Sequence, residues 1–352
     1  MKLLIINPGS TSTKIGVFEN ETSIFEKTLR HSMEELAPFD KMTDQYDFRM
    51  GIILNAMEEA GISVNELSAV VGRGGLVKPL AGGTYHVNDA MLADLRIGLQ
   101  GQHASNLGGL IAHAIGGKIG KPSYIVDPVV VDEFMEISRF SGHPALKRRS
   151  IFHALNQKAI ARQYCKDVGA LYTDLNLVVV HLGGGISVGI HAKGNVIDAN
   201  NALDGDGPFS PERSGSLPTG DLSALCFSGN YTLPEVRKMI AGQGGLIAYF
   251  KSNNMMELEE RAKSEPEVKL AIDAMCYQIA KEIAAVSTAV NGNVDAILLT
   301  GGIAHSKYIT AEISKRVSFI TKVHIYPGED ELAALAQGAL RVLRGEEVAK
   351  EY

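Results

Sequence analysis

The sequence predicts an α/β protein built from two related domains, because one arrangement of strands around a loop of small residues occurs twice. Residues 2–19 fit an apolar strand, a loop of small polar residues and a second, alternating strand. Residues 176–191 repeat this pattern, with glycines in place of the hydroxyl side chains. The recurrence of one supersecondary unit roughly half a chain later indicates a duplication.

The loop of the first copy has the composition of a phosphate-binding loop. Gly9 lets the backbone approach a ligand closely, Ser10 and Ser12 offer hydroxyl groups, and Lys14 adds a positive charge. A nucleotide P-loop would run from a strand into a helix and end in Gly-Lys-Ser or Gly-Lys-Thr, and neither feature is present. An ordinary hairpin turn rich in serine and threonine remains the alternative interpretation.

Two glycine-rich sites follow later in the chain. Gly183, Gly184 and Gly185 separate the two strands of the second copy, and Gly301-Gly302 follows another apolar strand that leads into a helical pattern. The last arrangement suits a nucleotide lying across a helix N-terminus, although a routine strand-to-helix turn has the same appearance.

In this order, the two hairpin loops and the strand-glycine-helix site resemble the ATPase fold shared by actin, sugar kinases, chaperone ATPases and acetate kinase. The resemblance implies two duplicated actin-like (ribonuclease H-like) ATPase domains, with the active site in the cleft between them. We expect an N-terminal domain over residues 1–150, with the C-terminal helix 332–352 packed on it, and a C-terminal domain over residues 151–331 that carries the nucleotide-binding motifs.

Length and composition agree with a globular enzyme of two domains. The chain has 352 residues, of which 45% are hydrophobic and 21% are charged. A net charge of -6 argues against nucleic acid as a partner. The three cysteines lie far apart in the sequence, and no apolar run approaches the length of a membrane span. We therefore expect a cytoplasmic protein with reduced thiols and no membrane partner.

Several side chains suited to anions stand at the ends of predicted strands and helices. Arg73 lies between glycines after an apolar strand, where side chains of α/β folds point into a crevice, and Asp127 ends another strand. Ser150 is expected to cap a helix that carries His153 in its first turn, where the helix terminus polarises the ring. Arg213 lies in a long loop rich in glycine, proline and serine. These residue types also occur without a function, as Arg73 would at the surface and His153 would as a partly buried structural residue.

The motifs NPGSTSTK, GRGG, QHASNLGG, VDPVVVDE, SIFHALNQ, VVVHLGGGIS, GPFSPERSG and LLTGGIAHS occur in the order found in the acetate and butyrate kinase family, over essentially the whole chain. HLGGG and PERSG resemble the butyrate and branched-chain acid kinases more closely than the acetate kinases. The chain is thus identified as a member of this family by resemblance.

The resemblance implies an ATP-dependent kinase that phosphorylates the carboxylate of a short fatty acid, uses Mg²⁺, and forms a homodimer or a larger homo-oligomer. It implies catalytic roles for Asn7, Arg73, Asp127, His153 and Arg213. It places the substrate on Arg73 and His103, and the metal on Glu331 and Asn7. It places the ATP phosphates on Gly9, Ser10, Ser12, Lys14, His181, Gly183, Gly184, Gly185, Gly301 and Gly302. The family motif GIGEN reads GIAHS here, which leaves open whether His305 and Ser306 contact adenosine.

The chemistry of these side chains suits a carboxylate acceptor. A short carboxylate is ionised at pH 7 and needs no general base, so the site must supply cations, hydrogen-bond donors and in-line positioning. Arg73 can hold the carboxylate while Arg213 and His153 bracket the transferring phosphoryl group. Many relatives of this fold that orient water or a hydroxyl have aspartate where Asn7 stands, and a neutral asparagine avoids repelling an anionic nucleophile.

Alternatives remain at this point. A kinase for acetate, propionate or branched-chain acids is the nearest one, because one methylene is worth only about 1–3 kcal/mol of discrimination. A sugar kinase and a chaperone-like ATPase of the same fold are more distant ones.

Overall fold

The computed structural model describes the whole chain, Met1–Tyr352, and divides it into two compact units. Unit 1 comprises Met1–Val131 and Asp330–Tyr352, and unit 2 comprises Asp132–Glu329. Among the helices of the chain, none combines the length and the apolar character that a membrane crossing requires.

Eleven strands and twelve α-helices make up the two units. The strands are β1 (Lys2–Pro8), β2 (Ser12–Glu19), β3 (Thr22–Arg30), β4 (Ala69–Arg73), β5 (Thr84–His86), β6 (Ser123–Val126), β7 (Asn176–Leu182), β8 (Ile186–Ala192), β9 (Asn195–Ala199), β10 (Ala296–Gly301) and β11 (Val323–Pro327). The helices are α1 (Met33–Leu36), α2 (Tyr46–Glu59), α3 (Asp89–Ile97), α4 (Asn106–Lys118), α5 (Ala154–Val168), α6 (Thr219–Cys226), α7 (Leu233–Ile240), α8 (Leu246–Phe250), α9 (Met255–Arg261), α10 (Pro266–Ser287), α11 (Lys307–Val317) and α12 (Glu331–Leu343).

The two sheets share one topology. Unit 1 has the strand order β3-β2-β1-β4-β6-β5, and unit 2 has the order β9-β8-β7-β10-β11. In both sheets the first strand pairs antiparallel with the second and parallel with the fourth. The second and third strands of each sheet also share a register shift, between Val17 and Phe18 in unit 1 and between Ile190 and His191 in unit 2. These correspondences confirm the predicted duplication.

The core of each unit lies on its central strands and the helices that cover them. Leu3, Leu4, Ile5 and Ile6 of β1 are fully buried, as expected for a strand covered on both faces. In unit 2, α10 packs on β7 and β8 with a stripe of buried residues spaced three or four apart. That stripe consists of Val268, Ile272, Met275, Cys276, Ile279 and Ile283.

Helix α12 belongs to unit 1 although it lies at the C-terminal end of the chain. It packs on β1, β4 and β6. A Cβ at Gly338 would lie 2.4 Å from a methyl group of Val126, so glycine allows this helix to approach the sheet closely. The packing brings the first residue of α12 to the ends of β1 and β4.

The division between the units falls earlier than position 150, where the sequence analysis places it. Residues 132–149 pack with unit 2 through hydrogen bonds to β9. The backbone N–H of Met135 donates to a carbonyl of that strand at 3.0 Å, and Arg148 donates to the carboxylate of Asp198 at 2.9 Å. Such contacts between distant parts of the chain leave no mark in local composition.

The predicted start of α5 is wrong. Ser150 does not cap this helix, because α5 begins at Ala154 with His153 in the N-cap position. The preceding residues are still engaged elsewhere, since the carbonyl of Ile151 accepts a hydrogen bond from the N–H of Ala202 at 3.0 Å. The position of His153 is therefore determined by the segment that precedes α5 and not by the first turn of that helix.

Candidate active site

Asn7, Arg73 and Glu331 form one cluster in unit 1. Asn7 lies near the carboxyl end of β1 and Arg73 ends the parallel neighbour β4, so their side chains meet at one edge of the sheet. Glu331 opens α12, which Asp330 caps by accepting a hydrogen bond from the N–H of Ala333 at 2.9 Å. The sequence places these residues far apart, and the sheet and the helix bring them together.

The cluster is held by three hydrogen-bonded pairs. Arg73 donates from Nη1 to Glu331 Oε2 at 3.0 Å, and its Nη2 forms an ion pair with Glu331 Oε1 at 2.9 Å. Arg73 Nη1 also donates to Asn7 Oδ1 at 3.2 Å, and Asn7 Nδ2 donates to Glu331 Oε2 at 2.6 Å. The carboxylate of Glu331 thus lies against the two terminal nitrogens, Nη1 and Nη2, of the Arg73 guanidinium group.

This arrangement leaves one edge of Arg73 available. A guanidinium group has five N–H donors, and the hydrogen bonds to Asn7 and Glu331 use both hydrogens of Nη1, while Glu331 Oε1 lies beside Nη2. The Nε hydrogen and the second Nη2 hydrogen lie side by side, in the geometry that binds a carboxylate through two parallel hydrogen bonds. Arg73 can therefore bind an anion without releasing Glu331.

His103 and Asp127 lie in unit 1 as well. Burial, followed by the charge of Arg73, lowers the pKa of His103, and its Nδ1 lies 2.8 Å from Ser105 Oγ. Asp127 is buried, with a positive φ of 37°, and its Oδ1 accepts a hydrogen bond from the N–H of Gly83 at 2.7 Å. The carboxylate of Asp127 thus ties the end of β6 to the segment that leads into β5. Its catalytic role stays a prediction.

The first loop joins β1 to β2 and exposes Ser10 and Thr11. Gly9 has no positive φ, and a Cβ there would make only ordinary contact with Ser12 at 3.5 Å, so the fold itself does not require glycine at this position. Lys14 Nζ forms an ion pair with Glu26 Oε2 of β3 at 3.2 Å. The binding of phosphate by these residues stays a prediction.

Sequence reasoning missed the side chain that supports this loop. Arg49 of α2 is fully buried, and its guanidinium group donates to carbonyl groups of the loop. The available signal was helical spacing, because Arg49 falls on the same face of α2 as the buried Ile53 and Ala56.

In unit 2, a chain of hydrogen bonds leads from the protein interior to His153. Gln157 Nε2 donates to the carbonyl of Ser187 at 3.1 Å and to its Oγ at 2.8 Å, and Ser187 Oγ lies 2.8 Å from His153 Nδ1. On the other side, Gln157 Oε1 lies 3.0 Å from His191 Nε2, and Tyr172 Oη lies 2.7 Å from His191 Nδ1. These side chains were not singled out from the sequence, although Gln157 follows His153 at the spacing of one helical face.

One carbonyl group determines the orientation of the Gln157 amide within this chain of hydrogen bonds. A carbonyl can only accept, so the bond to Ser187 O fixes which end of the Gln157 amide carries hydrogen. Ser187 Oγ accepts from that amide and also lies within hydrogen-bond distance of His153 Nδ1. Ser187 thus holds the His153 ring at its Nδ1 atom.

The rings of His153 and His181 are stacked, with centroids 3.8 Å apart and an interplanar angle of 13°. Burial, with a contribution from Arg213, lowers the pKa of His181 to about 4. His181 is therefore neutral at pH 7, and its 3.5 Å approach to Glu329 is not an ion pair there. Two charged rings would repel each other at this separation.

Arg213 lies over the glycines of the second hairpin loop. Its Nη1 donates to the carbonyl of Ala202 at 2.5 Å, and a Cβ at Gly185 would lie 2.0 Å from the same nitrogen. Similarly, a Cβ at Gly184 would lie 2.9 Å from Glu212 Oε1, and one at Gly183 would lie 2.9 Å from His181 Nε2. The glycines thus make room for side chains of the protein itself. Burial lowers the pKa of Arg213, against the effect of Glu212 and Asp204.

The third glycine site differs from its predicted form in one respect. Residues 302–305 form a 3-10 turn, and α11 begins only at Lys307, where Ser306 Oγ accepts a hydrogen bond from the N–H of Ile309 at 3.1 Å. Gly301 has φ +87°, and a Cβ there would lie 2.4 Å from the carbonyl oxygen of Leu182, so this position requires glycine. Gly302 faces open space.

No group of three or more His, Cys, Asp or Glu residues could enclose a metal ion. Magnesium commonly binds one or two carboxylates together with water and substrate phosphates. In the cluster, Oε2 of Glu331 accepts two hydrogen bonds, whereas Oε1 has a single contact, the ion pair with Arg73 Nη2, so Oε1 retains a lone pair. Glu331 and Asn7 therefore fit magnesium through few ligands or through water.

Two α/β units of one topology, in which the loops β1–β2 and β7–β8 lie at equivalent strand ends, define a protein of the actin-like ATPase fold. The acetokinase family matches residues 143–320, and the chain belongs to this family. It is 58% identical over 352 residues to butyrate kinase 1 of Clostridium acetobutylicum, with 100% of this chain and 99% of the relative covered. It is 55% identical to butyrate kinase 2 of the same organism, with the same coverage.

A solved structure supports the assignment of the fold. The crystal structure of Porphyromonas gingivalis acetate kinase matches with a TM-score of 0.80 and 18% identity, and the match covers 97% of this chain and 99% of that chain. At this identity the likeness concerns the fold alone. The predicted fold class is confirmed.

Proposed function

We propose that this protein is a butyrate kinase, which transfers the γ-phosphoryl group of ATP reversibly to the carboxylate of butyrate, giving butanoyl phosphate and ADP. The observation that carries this proposal is the 58% identity, along the whole chain, to an enzyme named butyrate kinase 1. A related short or branched fatty acid is the nearest alternative acceptor, because neighbouring chain lengths differ little in binding energy.

In unit 1, Arg73 is proposed to bind the acceptor. Its Nε and one Nη2 hydrogen would hold the substrate carboxylate by two parallel bonds, while Glu331 fixes the other end of the guanidinium group. This orients one carboxylate oxygen for attack on phosphorus. Since the carboxylate is ionised at pH 7, no proton has to be removed.

In unit 2, Arg213 and His153 are proposed to stabilise the charge of the transferring phosphoryl group. Arg213 would supply a fixed positive charge, and the His153 ring, held at Nδ1 by Ser187 Oγ, would supply a directed hydrogen bond. The glycines of the second hairpin loop and Gly301-Gly302 would accommodate the nucleotide. Preorganised donors of this kind act on the transition state because they need not reorient during the reaction.

The proposal includes three further properties, of which the family resemblance implies two, the metal ion and the oligomeric state. Magnesium would neutralise charge on the β- and γ-phosphates, and Glu331 and Asn7 would hold it. The protein would be cytoplasmic, in accord with the three free cysteines, and would form a homodimer or a larger homo-oligomer.

Trapping the acyl phosphate tests the proposed reaction. With ATP, magnesium and butyrate, added hydroxylamine should give butyrohydroxamate in proportion to ADP formed. Parallel reactions with acetate, propionate and branched acids rank the acceptors, and glucose serves as the control for a sugar kinase. ADP formation without hydroxamate, for every acid in the panel, would reject a carboxylate acceptor.

A further inference from the structure

Arg49 of α2 is fully buried beneath the loop between β1 and β2. Its Nη1 donates to the carbonyl of Gly9 at 2.7 Å and to that of Ser12 at 3.0 Å, and its Nη2 donates to the carbonyl of Ser10 at 2.9 Å. Further bonds join Nη1 to Thr13 Oγ1 at 3.0 Å, and Nη2 and Nε to Gln45 Oε1 at 2.8 and 3.0 Å. One side chain thus holds three carbonyl groups of the loop.

No carboxylate compensates the charge of Arg49, because its partners are backbone carbonyls, an amide and a hydroxyl. Burial lowers the pKa of Arg49 only to about 10, so the group remains charged at pH 7. The neighbouring His31, which bonds Thr13 Oγ1 at 3.0 Å, has a pKa lowered by its own burial and by Arg49. A buried charge without a counterion is unfavourable in general, and an anion bound nearby would compensate it.

The bonds of Arg49 also determine where the amides of the loop point. In a trans peptide the C=O and the following N–H point in opposite directions. Because the carbonyls of Gly9 and Ser10 point towards Arg49, the N–H groups of Ser10 and Thr11 point away from it. Both residues are exposed, and neither N–H donates to another group of the protein. Two adjacent outward amides above a buried positive charge suit an anion.

We propose that Arg49 is a positioning residue for phosphoryl transfer, which orients the Ser10 and Thr11 amides towards a phosphate group of ATP and supplies the positive charge beneath them. The inference rests on the proposed function for the identity of the anion. Arg49 itself does not touch the nucleotide, since the backbone of the loop lies over its guanidinium group. The phosphate is the missing counterion.

The test compares Arg49→Ala and Arg49→Lys with Arg261→Ala. Arg261 is the control, because it also lies on a helix and donates to a backbone carbonyl, that of Phe250 at 3.2 Å, but it belongs to unit 2 whereas Arg49 belongs to unit 1. ATP affinity is measured by calorimetry without an acid, and turnover is measured with ATP, magnesium and butyrate. Circular dichroism gives the folded fraction of each variant.

We expect Arg49→Ala to lower kcat/KM for ATP by about 10²-fold or more, the usual range for loss of a preorganised donor. Lysine keeps the positive charge but cannot donate from two separate nitrogens to the carbonyl groups of the loop. Arg49→Lys should therefore have a kcat/KM for ATP between those of Arg49→Ala and wild type. Millimolar methylguanidinium should restore ATP affinity and turnover in Arg49→Ala and should leave Arg261→Ala unchanged. A role in folding alone would not give this selective rescue.

ATP affinity and turnover within threefold of wild type in folded Arg49→Ala would overturn the inference. If Arg49→Ala does not fold, the decision passes to Arg49→Lys, for which wild-type ATP affinity and turnover would overturn it equally. Failure of the proposed function gives a different pattern, since wild type would then form no hydroxamate while the ATP affinities still report on Arg49.

Discussion

At the scale of single residues, Arg213 is expected to act on transition-state charge and not on folding. Arg213→Ala should lower kcat by about 10²–10³-fold, because it removes a preorganised cation from the developing charge. The melting temperature should change little, since the side chain lies over a glycine loop and fills no part of the apolar core. Steady-state kinetics and calorimetry of the variant measure both quantities.

Arg213→Lys provides the matched comparison. Lysine keeps the charge but loses the planar fork, so it should recover only part of the turnover. If Arg213→Ala turned over normally, or lost activity only by unfolding, the assignment of the phosphoryl site to this loop would be incorrect.

His181 should make stability depend on pH. Its pKa is about 4 in the folded protein, against an ordinary value of 6.5, so between these pH values the unfolded chain binds more protons. The stabilising contribution is fully present above pH 6.5 and is lost as the pH falls towards 4, with a slope of up to about 1.4 kcal/mol per pH unit.

Urea unfolding at pH 7.5, 6 and 5 measures this effect. The free energy of unfolding should fall less steeply in His181→Gln than in wild type, although His191, whose pKa also lies well below 6.5, leaves part of the slope in place. Equal slopes for the two proteins would show that His181 is not kept neutral by the fold.

At the scale of elements, the hairpin loop between β7 and β8 is expected to control the position of Arg213. Gly185→Ala would place a Cβ 2.0 Å from Arg213 Nη1, and the guanidinium group would have to move. We expect kcat to fall at least tenfold while the protein stays folded, because the obstructing atom is the end of a flexible side chain. Kinetics and thermal unfolding of the variant test this expectation.

Gly220→Ala is the control for this substitution. Gly220 lies in α6, where an added Cβ has nothing within 4 Å, and alanine should leave turnover unchanged and favour the helix slightly. Normal turnover in Gly185→Ala would mean that the contact between the glycine and Arg213 has no catalytic importance.

Some secondary-structure elements could be predicted from the sequence, and the boundaries of others could not. Apolar runs and glycine turns were sufficient to predict the hairpins β1–β2 and β7–β8, since strand alternation is a local signal. The start of α5 was not predictable in this way, because the hydrogen bond between Ile151 and Ala202 holds residues that local capping rules assign to the helix. Long-range pairing decides such boundaries.

At the scale of the whole molecule, the duplication was predictable because both copies retain the strand-loop-strand pattern. Charged residues such as Arg73 and Arg213 were found through family motifs. Arg49 was not, because its role depends on packing of α2 under a loop distant in sequence. Residues 132–149 were assigned to the other domain for the same reason, since their contacts with β9 are made only in the folded chain.

The central claim is that a carboxylate oxygen attacks the γ-phosphorus of ATP, and ³¹P NMR with ¹⁸O-labelled butyrate tests it most directly. The account predicts ADP together with butanoyl phosphate whose phosphorus resonance carries the isotope shift of one ¹⁸O atom. Hydroxylamine would also trap an acyl adenylate, and the phosphorus of an acyl adenylate would carry the label as well. The two reactions are distinguished by the product that accompanies the labelled phosphorus, which is ADP for an acyl phosphate and pyrophosphate for an acyl adenylate. Formation of AMP and pyrophosphate, or release of unlabelled phosphate at a rate independent of butyrate, would contradict the account.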